Sequence, residues 1–236
     1  MYFREIGCGK TIVFLHGWGC SGDIFLPVAE KLNDHKCYLP DFNGFGRSPL
    51  PPKDGWTVLD YACDLLDFFK QNKLREVCIV AHSFGCRVAM VFASQHPELV
   101  DKMILVAPAG LRKFSFLRWC KVRKFKIRKF LCRLGLSQNL SSRCGSVDYN
   151  ACDDEMRNTF VKVVNQDLSS YAKTVQCKTL IVCGKNDEET PLKDAKKLQK
   201  LIANSSLAEI DGGHFAFFQT PVAFAKTIRY FEEDQR

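Results

Sequence analysis

The 236-residue chain is 46% hydrophobic and 25% charged, an ordinary composition for one α/β domain with room for a small insertion. It holds 34 Lys/Arg against 26 Asp/Glu, a formal net charge of +8, and no uninterrupted apolar run of about 18 residues, which excludes a transmembrane-helix candidate. The start, Met1-Tyr2-Phe3-Arg4-Glu5, has no charged segment followed by an apolar one, and the twelve cysteines form no C-x-x-C pair; an unsecreted, cytoplasmic protein is expected, its cysteines packing as small hydrophobes, with neither a metal site nor a disulfide scaffold.

In chain order, residues 11–15 read as a strand that runs into His16-Gly17-Trp18-Gly19, and 23–32 as a helix. Residues 37–39 are a short strand leading into the glycine-rich loop Pro40-Asp41-Phe42-Asn43-Gly44-Phe45-Gly46-Arg47-Ser48. Leu59, Ala62, Leu65, Leu66 and Phe69 recur at helical spacing over 57–71. A β-branched run at 77–81 is followed by a helix at 84–95 that His96-Pro97 stops. Strands follow at 103–107, 179–183 and 207–210, with helices at 191–202 and 221–231. Strands alternating with helices of ten to fifteen residues predict an α/β fold, a mostly parallel central sheet with helices on both faces. Between 107 and 178 the rhythm breaks, with a basic stretch and a helix-like piece at 153–173. The expected division is a core of residues 1–109 and 176–236 carrying a small helical cap at 110–175.

In such sheets ligands bind beyond the carboxyl ends of the strands, which directs attention to Ala81-His82-Ser83-Phe84-Gly85, where strand turns sharply into helix. Ser83 at the apex is placed as a nucleophile, although a serine at this junction also serves as a helix N-cap. A serine hydroxyl needs a base within hydrogen-bond reach. Of the five histidines, His214 follows a strand and Asp211-Gly212-Gly213, and it precedes the apolar Phe215-Ala216-Phe217-Phe218; it is the expected base. His82 should point away from the serine if strand alternation continues. Asp187, in the loop after the 179–183 strand, is the carboxylate expected to orient the imidazole, with Glu188 and Glu189 serving the N-terminus of the next helix. An oxyanion would be met by the backbone N–H groups of Phe84 and of Trp18. His16, Gly17, Trp119 and Phe160 are expected to bind substrate, with Phe114 and Phe116 adding to an apolar acyl pocket.

Four segments, His16-Gly17-Trp18-Gly19, Asp41-x-x-Gly44-x-Gly46-x-Ser48, Ala81-His82-Ser83-Phe84-Gly85 and Asp187 with Gly213-His214, stand in one order over nearly the whole chain. In this the chain resembles the α/β-hydrolase fold superfamily, in its Ser-Asp-His branch. The resemblance implies a serine hydrolase without metal or organic cofactor that works through a covalent acyl-enzyme. The chain departs from it in Ala81, which stands where the elbow has its first glycine, and in a short N-terminal portion from which the first strand of the full fold is expected to be missing. A serine nucleophile excludes the dehalogenase and epoxide-hydrolase chemistries of the same fold, which use aspartate. The same triad serves esterases, thioesterases, C–C bond hydrolases, lactonases and peptidases, and a hydrolase-like binding protein without turnover is a further alternative.

Residues 112–147 carry eleven Lys/Arg and no Asp/Glu. Eleven cations exceed the net charge of the whole chain, so the remainder is net acidic and the basicity is local. Phe116, Trp119, Ile127, Phe130, Leu131 and Leu134 fall on one side of a helical wheel with Lys121, Lys124 and Arg128 opposite, and Arg123 intrudes on the apolar side. Unbalanced charge of this kind suits an acidic carrier protein or an anionic membrane surface contacted by Lys121, Arg123, Lys124 and Arg128. No nucleic acid is expected, since no binding module accompanies the patch. The His-Gly-Trp-Gly loop with a basic cap is also similar to carrier-protein methyl esterases of this fold. A small or medium acyl ester is the expected substrate.

Overall fold

The computed structural model describes residues 1–111 and 152–234. Among them are seven strands, β1 (Phe3–Ile6), β2 (Lys10–Leu15), β3 (His35–Pro40), β4 (Val77–His82), β5 (Val100–Val106), β6 (Lys178–Gly184) and β7 (Ser205–Ile210). They form one sheet in the order β1-β3-β2-β4-β5-β6-β7. β1 lies antiparallel on β3, and all other neighbours are parallel. The six strands read from the sequence are present. β1 is additional: its four residues include Arg4 and Glu5, and it is held at the edge by pairing Phe3 with Pro40 and Ile6 with Cys37.

The α-helices among the described residues are α1 (Leu26–Ala29), α2 (Val58–Gln71), α3 (Phe84–Gln95), α4 (Asp154–Asn165), α5 (Ser169–Thr174), α6 (Leu192–Leu201), α7 (Ala216–Gln219) and α8 (Pro221–Glu233). The helix expected at 23–32 is instead a 3-10 turn at Gly22–Phe25 followed by the single turn α1. Pro27 explains the break, because it has no N–H with which to continue an α-helix begun at residue 23. α2 opens with a capping box: Thr57 N–H donates to the Asp60 carboxylate at 2.7 Å, and Asp60 N–H returns a bond to the Thr57 hydroxyl. α8 ends on a clasp in which Lys102 donates its ammonium to the carbonyls of Phe231, Glu232 and Asp234, a cation at the negative end of the helix.

Alternation along the central strands divides the core into two layers. Val13, Leu15, Ile79, Ala81, Met103, Leu105 and Ile181 face α2, α3, α5 and α6. Ile12, Phe14, Cys78, Val80, Ile104 and Val182 face α1 and α8. Cys37, Cys78, Cys86 and Cys183 are buried in these layers. Leu168, Ala172 and Val175 pack into the first layer, which brings α5 against it. The helix-like piece read at 153–173 is two helices, α4 and α5, parted where Leu168 N–H donates to Gly110 O at 3.0 Å. α4 is held over the top of the sheet: Trp56 N–H donates to Thr159 Oγ1, and Arg87 Nη1 donates to the carbonyls of Val163 and Gln166.

Candidate active site

Four loops leave the carboxyl ends of β2, β4, β6 and β7. Between β4 and α3, Ser83 sits at φ 48° and ψ −103°, a backbone region that a residue with a side chain adopts at a cost of about 1–3 kcal/mol. The surroundings hold it there. Ser83 N–H donates to Val106 O at 3.0 Å, and Cys86 N–H donates to Ser83 O at 3.2 Å. A Cβ on Gly85 would come within 2.2 Å of Leu15 O, so α3 meets the end of β2 only because residue 85 has no side chain. Ala81, by contrast, is an ordinary core residue, its methyl buried in the first layer. The Ser83 hydroxyl makes no capping bond to α3, which separates this serine from the N-cap role open to it in the sequence.

The loops after β6 and β7 are stitched together through the backbone. Lys185 N–H donates to Ile210 O and Asn186 N–H to Gly212 O. This brings His214 Nδ1 to 2.9 Å from Asp187 Oδ2. The same carboxylate accepts the N–H groups of Glu189 and Thr190 on Oδ1, each at 2.9 Å, and the Thr190 hydroxyl on Oδ2 at 2.7 Å. Burial would raise the Asp187 pKa, but the bonds from His214 and Thr190 outweigh it and hold the carboxyl down at about 2. Asp187 is therefore ionised and Nδ1 of His214 is the donor, which leaves Nε2 facing away from the carboxylate.

His82 keeps the alternation of β4: its ring packs 4.8 Å from that of Phe217, on the side of Cys78 and Val80. Its ring lies 4.8 Å from that of His214, and its Nε2–H donates to the His214 carbonyl at 3.0 Å. Burial and the neighbouring His214 drive its pKa down to about 3, so it stays neutral. Alternation sets the face of this ring, and the segment after β7 supplies its partner, the His214 carbonyl.

The loop after β2 reaches the serine. A Cβ on Gly17 would stand 2.7 Å from His82 Nδ1 and 3.6 Å from Ser83 Cβ. His16, expected to bind substrate, does not line an open surface: it is fully buried, its Nδ1–H donates to Gly17 O at 2.8 Å, and its Nε2 accepts Phe42 N–H at 3.0 Å. Burial lowers its pKa to about 4. Its ring ties the Gly17 carbonyl to the Phe42 N–H. Gly17 O also accepts Cys20 N–H, and because the Gly17 carbonyl and the Trp18 N–H share one trans peptide plane, pinning the carbonyl fixes the opposite direction of that N–H. Phe84 is the first residue of α3, where helical N–H groups have no intrahelical partner.

Above these groups stands an aromatic wall. The Trp18 ring packs edge-on against Phe45, Phe84 and Phe160 at centroid distances of 4.8, 5.3 and 5.1 Å. Phe160 comes from α4 and is buried in this cluster with Met156 and Cys152. Phe114, Phe116, Trp119, Lys121, Arg123, Lys124 and Arg128 lie outside the described residues. Glu189 does not simply serve the N-terminus of α6: its Oε2 is 3.5 Å from His214 Nε2. Among the described residues no group of His, Cys, Asp and Glu is placed to hold a metal ion, and no helix is long and apolar enough to cross a membrane.

Residues 10–126 match the family model described as alpha/beta hydrolase fold. An uncharacterized protein of Mycobacterium tuberculosis is 38% identical over 112 residues, 47% of this chain and 33% of that protein, so the match spans a third of the relative's length. A pimeloyl-[acyl-carrier protein] methyl ester esterase of Chromobacterium violaceum is 35% identical over 109 residues, 45% of this chain and 40% of that enzyme. Among solved structures, an esterase from Exiguobacterium antarcticum superposes with a TM-score of 0.78 over 98% of this chain and 95% of its own, at 21% identity, a likeness of fold. Sequence match, strand order and sheet architecture agree: the chain has the α/β-hydrolase fold.

Proposed function

We propose that the protein is a serine hydrolase that cleaves carboxylic esters or thioesters through an acyl-enzyme on Ser83. The observation that carries this reading is the His214–Asp187 pair at 2.9 Å, set at the strand ends whose neighbouring loop holds Ser83 at a positive φ with its hydroxyl unspent on capping. Ser83 Oγ attacks the substrate carbonyl carbon while His214 Nε2 takes the hydroxyl proton. The carbonyl π electrons move to oxygen, where the N–H groups of Trp18 and Phe84 meet the negative charge. Asp187 holds the imidazole by Nδ1 and stabilises the imidazolium. The tetrahedral intermediate collapses, the leaving group departs with the proton from Nε2, and a water activated by the same nitrogen hydrolyses the acyl-enzyme. No step calls for a metal or an organic cofactor.

The aromatic wall of Trp18, Phe84 and Phe160 supports an apolar acyl group of small or medium size. Esters of an acidic carrier protein are the favoured class: the uncompensated basic segment containing Lys121, Arg123, Lys124 and Arg128 suits them, and the Chromobacterium relative acts on an acyl-carrier protein ester. An anionic membrane surface would use the same charges. Labelling with a fluorophosphonate probe tests the nucleophile: wild type should carry one adduct on Ser83 and Ser83→Ala none. An unlabelled, folded wild type beside a labelled control esterase would leave a binding protein as the reading. Replacing Lys121, Arg123, Lys124 and Arg128 by Gln should slow hydrolysis of a carrier-bound ester far more than that of p-nitrophenyl acetate, whereas equal slowing of both would remove the carrier and membrane readings together.

A further inference from the structure

The loop between β6 and α6 sends two carboxylates to one imidazole. Asp187 takes Nδ1 of His214 at 2.9 Å, and Glu189 Oε2 lies 3.5 Å from Nε2. The Asp187 side chain is fully buried, whereas that of Glu189 is 63% exposed and so can leave the contact at small cost. Glu189 is nonetheless aimed from its base, since its own N–H is bound to Asp187 Oδ1.

In neutral His214 the proton is on Nδ1, donated to Asp187, and Nε2 presents a lone pair that repels a carboxylate. Only the imidazolium offers an N–H to both acids at once. The contact therefore favours the protonated ring, the form that cannot accept the Ser83 proton. We propose that Glu189 is a positioning residue that holds His214 as a doubly bonded imidazolium and thereby sets the pH at which the base becomes available. This rests on the reading of His214 as the base.

Several other groups stand near the ring. His82, facing it from β4, is neutral above about pH 3, and His16, a neighbour of His82, is neutral above about pH 4. Thr190 supplies only a hydroxyl, 3.5 Å from Nδ1. Lys185 and Asp211, on the same two loops, are paired with each other at 2.7 Å. Removing the Glu189 charge lowers the His214 pKa, so activity should persist to lower pH.

The test is an NMR titration of the His214 ring in wild type, Glu189→Gln and Glu188→Gln, alongside the pH profile of kcat/KM for p-nitrophenyl acetate. Glu189→Gln should move both the ring titration and the acid limb of the profile down by about half a pH unit, the scale of a partly exposed ion pair, and the shift should shrink in about 1 M salt. Glu188→Gln should follow wild type. Superimposable titrations for wild type and Glu189→Gln, or equal shifts from both variants, overturn the proposal. The ring titration needs no turnover, so a shifted titration in a chain that fails to label on Ser83 would retain the Glu189 contact and reject the hydrolase instead.

Discussion

Ser83, the proposed nucleophile, is one of four non-glycine residues with a positive φ among the described residues. Its φ of 48° and ψ of −103° suit glycine better than any residue with a Cβ, so Ser83→Gly should raise stability by about 1 kcal/mol in urea unfolding while abolishing probe labelling. A destabilised glycine variant would mean the elbow is relaxed. Residue types made Ser83, Asp187 and His214 candidates in the sequence, because a strand end, a glycine pair and an acid at loop spacing are local signals. His16 and His82 were not legible in the same way. Both follow or end a strand next to a glycine or the serine, and only the folded chain shows that one ring holds the Gly17 carbonyl and the other the His214 carbonyl. Glu189 was masked by its neighbours, since three successive acids look alike until a loop bends one toward Nε2.

Elements bring these residues together through close backbone approach rather than through long side chains. α3 packs against the end of β2 at Gly85, where a Cβ would stand 2.2 Å from Leu15 O. Gly85→Ala must push the helix or the strand aside, and a loss of at least about 2 kcal/mol is expected in denaturant unfolding, with probe labelling falling as the elbow shifts. An unaltered midpoint and unaltered labelling would show that the junction has room. Strand and helix positions were readable because buried β-branched runs and 3.6-residue spacing are written in the chain. The misreadings have local causes: Pro27 divides the first helix into two short turns, and β1 gains its strand character from pairing with β3 rather than from its own residues.

At the scale of the whole molecule, two histidines are buried in the neutral form, His16 at a pKa of about 4 and His82 at about 3, against an ordinary 6.5. Desolvation is the main cause for each, and both fold as neutral rings. The unfolded chain binds their protons first, so their contribution to stability is complete above pH 6.5 and is lost as pH falls from there toward 4 and below. Urea midpoints should therefore drop between pH 7 and pH 4, and His16→Asn and His82→Asn should each flatten that slope; a midpoint independent of pH over this range would show that the two rings titrate freely. The sequence by itself determined the alternating α/β plan, the strand-end placement of serine, acid and base, and the local concentration of basic charge, because each is a pattern along the chain. Only the tertiary structure decided which histidine is scaffold, which carbonyls the buried rings hold, how two loops join Asp187 to His214, and that Glu189 meets the far nitrogen. These are relations between segments far apart in the chain, and they exist only once the sheet has put its strand ends side by side.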